Sequence, residues 1–156
     1  MKKIQTLCMI HRHPKILLGM KKRGFGQGRW NGFGGKVSPG ETILEAAKRE
    51  VLEETNIQIN LNECDKCGIV QFEFHDKPDT IEVHFFRVGE FEGNPTESEE
   101  MLPKWFNVDE IPLEEMWPDD KYWMPLFLEG KKFKGRFLFG EGDSVLEKNL
   151  EIVEGF

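Results

Sequence analysis

The chain is short of the residues that staple a fold, anchor it in lipid or grip a polymer of nucleic acid. Only three of its 156 residues are cysteine, Cys8, Cys64 and Cys67. An odd count leaves a thiol over in any pairing, which suits a reducing compartment. Cys64-Asp65-Lys66-Cys67 has the C-x-x-C outline of a redox motif or half a zinc site. No second pair follows it and no thioredoxin-type βα pattern surrounds it, so the two read as incidental thiols near a loop. The four histidines, His11, His13, His75 and His84, have no partner at ligand spacing, and surface or packing roles fit them. No apolar run approaches the roughly 20 residues of a membrane span. Lys2-Lys3 leads into a short mixed segment rather than a secretory signal, so no membrane partner and a cytoplasmic location are expected. Positive charge is scarce as well: 21 Lys and Arg face 28 Asp and Glu, a net charge of -7. That argues against a nucleic-acid polymer as partner, because phosphate neutralisation needs clustered Lys and Arg. A small phosphorylated ligand bridged by cations remains compatible with it.

What is present reads as one α+β domain spanning residues 1–156, with no repeat, low-complexity tract or linker. Ile4 to Ile10 and Ile16 to Met20 read as strands joined by a turn. Lys21 to Lys36 holds six glycines among sixteen residues and reads as a loop that approaches something closely. Thr42 opens a helix, with Glu45 completing a capping box and Ile43, Ala47 and Val51 on its core side. Gly68 to Phe74 and Thr80 to Val88 read as a strand pair, Glu90 to Glu100 as an acidic loop and Lys104 to Val108 as a short strand. Asp119 to Leu128 reads as a second helix limited by Pro125. Phe133 to Phe139 and Val145 to Val153 read as a hairpin. Helices flanking a mixed sheet, an α/β/α sandwich, are the expected architecture.

The densest chemistry lies in GKVSPGETILEAAKREVLEETNI, Gly35 to Ile57. Glu50, Glu53 and Glu54 stand three and four residues apart, so a helix puts them on one face. Like charges that close repel and weaken a helix. A divalent cation reverses the sign of that interaction, and hard oxygen ligands favour magnesium or manganese over zinc. Arg49 lies four residues from both Glu45 and Glu53 and can orient them by ion pairs. A solvated acidic helix face would share the composition but not the spacing to Gly35 and Glu41.

That spacing resembles the Nudix hydrolase pattern, G-x5-E-x7-R-E-U-x-E-E-x-G-U with U a bulky aliphatic. Gly35, Glu41, Arg49, Glu50, Val51, Glu53, Glu54 and Ile57 fall on its positions. Asn56 stands where the family has glycine, and asparagine is the non-glycine residue best suited to a left-handed helix terminus. Three further runs extend the resemblance along the chain: ESEEM (Glu97 to Met101), WPDDKYW (Trp117 to Trp123) and KKFKGRFLF (Lys131 to Phe139). With Leu17 to Val37 they are similar to the branch of the family that hydrolyses oxidised purine nucleoside triphosphates in animals.

The resemblance implies a metal set of Glu50, Glu53 and Glu54 with Glu100 and the Gly34 carbonyl, Mg2+ (or Mn2+) as cofactor, and Arg49 and Glu41 in support. It implies phosphate contacts from Lys21 and Lys36 beside Phe33, Gly34 and Gly35. It assigns the base to Asn31, Trp117, Asp119 and Asp120, with Thr6, Phe72, Phe74, Met101, Trp123 and Phe139 around them. These types make sense: an indole stacks on a purine and an amide offers donor and acceptor. Of two adjacent carboxyls in an apolar pocket, one can be forced to keep its proton, donating where its neighbour accepts. Ile81 departs from the methionine expected near this pocket. The implied activity is hydrolysis of substrates such as 8-oxo-dGTP and 2-hydroxy-dATP to monophosphate and pyrophosphate by a monomer, in cytoplasmic and also nuclear or mitochondrial pools. Two rivals use the same residues: a pyrophosphatase for ADP-ribose, another dinucleotide or capped RNA, and a catalytically silent nucleotide-binding module.

Overall fold

The computed structural model describes residues 2–156. Ten strands and two α-helices follow one another as β1 (Lys2–Arg12), β2 (Lys15–Lys21), β3 (Trp30–Asn31), α1 (Ile43–Thr55), β4 (Gln58–Ile59), β5 (Cys64–Phe74), β6 (Lys77–Val88), β7 (Phe91–Glu92), β8 (Met101–Asn107), α2 (Asp120–Leu128), β9 (Lys132–Phe139) and β10 (Val145–Val153). Eight strands form one mixed sheet in the order β10-β9-β5-β6-β1-β2-β3, with β8 also pairing with β2. The β1–β6 and β5–β9 pairs are parallel; β5–β6, β9–β10 and β2–β8 are antiparallel. A small ribbon of β4 and β7 stands apart.

Alternation along the strands builds two cores, one on each face of the sheet. Met9, Ile16 and Leu18 point to one side and pack with Val70, Phe85, Phe133 and Phe137 beneath Trp123, Met124 and Phe127 of α2. Their neighbours Cys8, Ile10 and Leu17 point the other way and pack with Phe33, Ala47, Val51 and Ile57 around α1. The helices thus cover opposite faces, and the expected sandwich is the observed one.

Helix α1 begins as its sequence directs. The Thr42 hydroxyl accepts from Glu45 N and the Glu45 carboxylate accepts from Thr42 N, the reciprocal capping box. It ends on Asn56 at φ 64°, ψ 21°, the left-handed cap expected there. The acidic face needs a correction, however. Glu54 is not opposite the core stripe: it follows Ala47 and Val51 at the next helical interval and is buried, 3% exposed. Arg49 likewise does not orient Glu45, whose carboxylate the cap has taken.

Other departures lie at element ends. Strand β5 starts at Cys64, so both thiols lie on a strand, Cys64 at its very start after the turn at Leu61–Glu63, and Cys67 is buried at a bulge between Lys66 and Gly68. Burial pushes the Cys67 thiol up to about 12 and the half-exposed Cys64 up to about 11. Strand β8 starts at Met101, three residues before the strand expected from Lys104, because β2 offers it partners as far as Lys21. Among the described residues no helix is long and apolar enough to cross a membrane.

Candidate active site

A cavity of about 480 Å³ opens where the glycine-rich loop, β1, β5 and the start of α2 meet. Backbone geometry brings the loop against β1. Thr6 N donates to Gly35 O at 2.8 Å, and Cys8 N and Phe33 O pair at 2.6 Å. A Cβ at Gly34 would stand 1.9 Å from the Thr6 carbonyl oxygen, and one at Gly35 would stand 2.7 Å from the Glu50 carboxyl carbon. No side chain fits at Gly34, where the clash is with backbone, and one at Gly35 would push the Glu50 carboxyl aside, so glycine there lets strand, loop and helix close together.

Helix α1 delivers its carboxyls to that junction. Glu54 lines the cavity and accepts from Gly34 N at 3.0 Å. Burial, and then the charge of Glu50, push its carboxyl up to about 8. Glu50 is also raised, by burial first, with Glu53 and Glu100 adding to it against the opposing pull of Arg49. Arg49 is the hub of this end. Its Nε and Nη2 donate to Glu41 at 3.1 and 2.7 Å, Nη1 donates to Glu50 at 3.0 Å and to Glu53 at 3.5 Å, and Nη2 donates to Lys36 O at 3.0 Å. That contact holds Glu41 down at about 2.

Glu50, Glu53 and Glu100 do not line the cavity itself. Glu53 is exposed, and Glu100 sits 3.7 Å from Arg23 on the approach to β8. Among the described residues, no group of three or more His, Cys, Asp or Glu side chains forms a ready metal cage. The donor chemistry still fits a hard dication. The expected donors are oxygens, without a thiol or imidazole, and burial raises both Glu50 and Glu54.

The cavity walls are aromatic. Phe72 and Phe74 stack on Phe139 at 5.9 and 5.8 Å, and Trp117 meets Phe139 at 5.9 Å. Thr6, Lys21, Asn31, Lys36, Met101, Asp119 and Asp120 complete the expected lining. Asn31 Oδ1 accepts from Gly32 N at 2.9 Å, so its amide N–H groups are what it offers the cavity. Phe33 and Trp123 are corrections, because both are wholly buried in the cores and neither lines the cavity. Trp123 acts from behind: its Nε1–H donates to Asp119 Oδ2 at 2.8 Å. Asp119 caps α2 by position but makes no side-chain cap bond, since its carboxyl has turned to that indole. Burial raises Asp119 and Asp120, and the neighbouring charge raises Asp120 further. Asp120 Oδ2 is buried with no hydrogen-bond partner.

A closed cradle of glycine backbone against a helix bearing R-E-x-x-E-E, with Arg49 tied to Glu41, is the arrangement that the motif spacing anticipates, and residues 1–127 match the family described as the NUDIX domain. The chain belongs to the Nudix family. It is 49% identical over 154 residues to the oxidized purine nucleoside triphosphate hydrolase of Mus musculus, covering 99% of this chain and 97% of the mouse one. Against the protein of that name from Danio rerio it is 48% identical, covering 97% and 96%. Among solved structures, a MutT protein from Bacillus halodurans superposes with a TM-score of 0.84 at 30% identity, over 96% of this chain and 97% of that one.

Within this Nudix site, several lining residues escaped the sequence reading. Phe25, Gly26 and Arg29 come from the loop, and Val83 and Phe85 join Ile81 from β6. Alternation along Ile81, Val83 and Phe85 signalled a shared face but not what it faced. Phe25, 66% exposed in a run of glycines, was the legible oddity.

Proposed function

We propose that the chain hydrolyses oxidised purine nucleoside triphosphates, 8-oxo-dGTP and 2-hydroxy-dATP among them, to the monophosphate and pyrophosphate. The observation that carries this reading is the buried Asp119–Asp120 pair, with Asp120 Oδ2 unpartnered, in an aromatic cavity that also holds Glu54 and Gly34. The family and the names of the mouse and zebrafish relatives support it.

In this reading Trp117 and the phenylalanines sandwich the base, and Asn31 and the aspartate pair read its edge. A pair sharing one proton offers donor and acceptor together, which suits both an oxidised guanine and an oxidised adenine. Lys21 and Lys36 reach the phosphates. Glu50, Glu53, Glu54, Glu100 and the Gly34 carbonyl are the groups that would hold magnesium or manganese. When bound, such a dication neutralises phosphate oxygens and makes water a better nucleophile at neutral pH. Glu54, kept dry and aimed by Gly34 N–H, is the carboxyl beside the cavity that takes the proton of the attacking water. The reading carries with it a monomer acting on the small-molecule nucleotide pool of the cytoplasm.

The test is turnover of 8-oxo-dGTP beside dGTP and ADP-ribose with magnesium, with products separated by ion exchange. Preference for the oxidised triphosphate, yielding monophosphate and pyrophosphate, is the expected result. Activity on ADP-ribose alone would remove the base assignment and keep the glutamate chemistry.

A further inference from the structure

Arg29, like Lys3 and Lys77, is a basic side chain at the cavity that this mechanism leaves unused. The guanidinium carbon of Arg29 lies 4.1 Å from the centroid of the Trp117 ring, and its Nη1 is 3.2 Å from Asp143 Oδ2. Asp143 belongs to the turn between β9 and β10 and sits at φ 62°. Trp117 has Phe25 at 5.0 Å, and Gly26 packs against its Nε1 edge. Three segments remote in sequence therefore meet at one guanidinium. The backbone holds Arg29 there, since Lys21 N donates to Arg29 O at 3.0 Å and Arg29 N donates to Gly26 O at 3.1 Å.

We propose that Arg29 is a specificity-determining positioning residue, which together with Asp143 clamps the Trp117 indole as a wall for the base and sets the field at the Asp119–Asp120 pair. The proposal rests on the reading of this cavity as a purine site. A planar guanidinium stacks on an indole face while keeping its in-plane donors for a carboxylate, which an ammonium cannot do. Stacking fixes where the ring stands before any base arrives.

The same charge reaches the aspartate pair. Burial raises both carboxyls, the Trp123 N–H opposes it, and Arg29 is the basic group at the cavity that adds a smaller lowering at each. Asp143 neutralises part of that charge. Lys3, Lys21, Lys36, Lys77, Glu54 and Asp79 also line the cavity, but they are common to every variant and cancel in comparison. Removing the Arg29 charge therefore leaves the pair protonated to higher pH. Removing the Asp143 charge lets Arg29 act unopposed and moves the pair the other way. Asn is the right replacement for Asp143 because it tolerates the left-handed backbone.

The experiment compares R29Q, R29K and D143N with the parent in steady-state turnover of 8-oxo-dGTP, 2-hydroxy-dATP and dGTP across the pH range, with thermal melting alongside. R29Q is expected to raise KM roughly tenfold while kcat stays within about twofold. Its KM–pH profile shifts to higher pH, D143N shifts to lower pH, and R29K keeps the parent profile without recovering KM. An R29Q or D143N profile that does not move, or two that move in the same direction, overturns the proposal whatever happens to KM. Should R29Q fail to fold, the D143N shift alone decides. A parent that does not prefer oxidised purines loses the purine reading and Arg29's role together. A parent that does prefer them, with unmoved variants, loses only Arg29's role.

Discussion

The indole N–H of Trp123 donates to Asp119 Oδ2 at 2.8 Å, one helical turn along α2, and so engages one carboxyl of the buried pair from behind the cavity. The bond divides the labour between two adjacent aspartates: Asp119 is held as acceptor, and Asp120 Oδ2 is left buried without a hydrogen-bond partner. Replacing the indole by phenyl leaves a buried acceptor unpaired. Trp123→Phe is expected to lose about 1–3 kcal/mol of stability in urea unfolding, and to change the ratio of turnover between oxidised guanine and oxidised adenine substrates. Loss of stability with that ratio unchanged would confine Trp123 to packing.

Glu54 gives a cleaner separation of chemistry from folding. Its carboxyl is desolvated and pushed up to about 8, so a neutral amide at that place relieves a burial cost. Glu54→Gln should lower kcat by about 10²–10⁴-fold while its thermal midpoint equals or exceeds the parent's. Chelation of divalent cations should abolish parent turnover, with magnesium restoring it. Near-parental kcat in the variant would strip Glu54 of its role.

Arg49 acts through its neighbours. It holds Glu41 by two donors and Glu50 by one, a fork that lysine cannot reproduce. Arg49→Lys is expected to cost about 10–100-fold in turnover, the range for residues that orient ligands. In a double-mutant cycle with Glu41→Gln the losses should be strongly non-additive. Simple additivity would show that the Glu41 contact does not matter to the site.

Acid stability should carry the mark of Glu82, on the sheet away from the aromatic wall. Burial works to raise this carboxyl, but donors from Gln71 at 2.6 Å, His84 at 2.8 Å and Lys2 at 3.2 Å outweigh it and lower it to about 2. Because the folded value lies below the unfolded one, the contribution is complete above about pH 4.5 and is lost as pH falls toward 2. Denaturant midpoints of the parent should fall across that window, and Glu82→Gln should flatten the fall by on the order of 1–3 kcal/mol. Parallel curves for the two proteins would assign the acid loss elsewhere.

These features were unequally legible in the sequence. The capping box at Thr42, the Asn56 terminus and the two-faced strand β1 follow from local chemistry, and local chemistry is what a sequence displays. The burial of Glu54 does not, because helical spacing alone puts it as near the acidic face as the core, and only the loop folding over it decides. Strand β8 was read as starting three residues too late, since its first residues pair only because β2 lies beside them. The site divides in the same way. The glutamates and Arg49 sit in one continuous stretch and were found by spacing. The base pocket joins residues from 6 to 139, and apart from family likeness nothing local tied Asn31 to Asp120. Arg29 was missed because a lone arginine in a glycine-rich loop looks solvated until Trp117 and Asp143 are placed around it.

The three sulfhydryls have a consequence outside the site. Peroxide attacks thiolates far faster than thiols. Cys67 is raised to about 12 and Cys64 to about 11, while Cys8, fully buried, lies well above the ordinary range. All three are shifted away from the reactive thiolate, and Cys8 and Cys67 are also buried. Burial and a raised thiol together make Cys8 and Cys67 poor targets for peroxide, and Cys64 is the sulfur that solvent reaches.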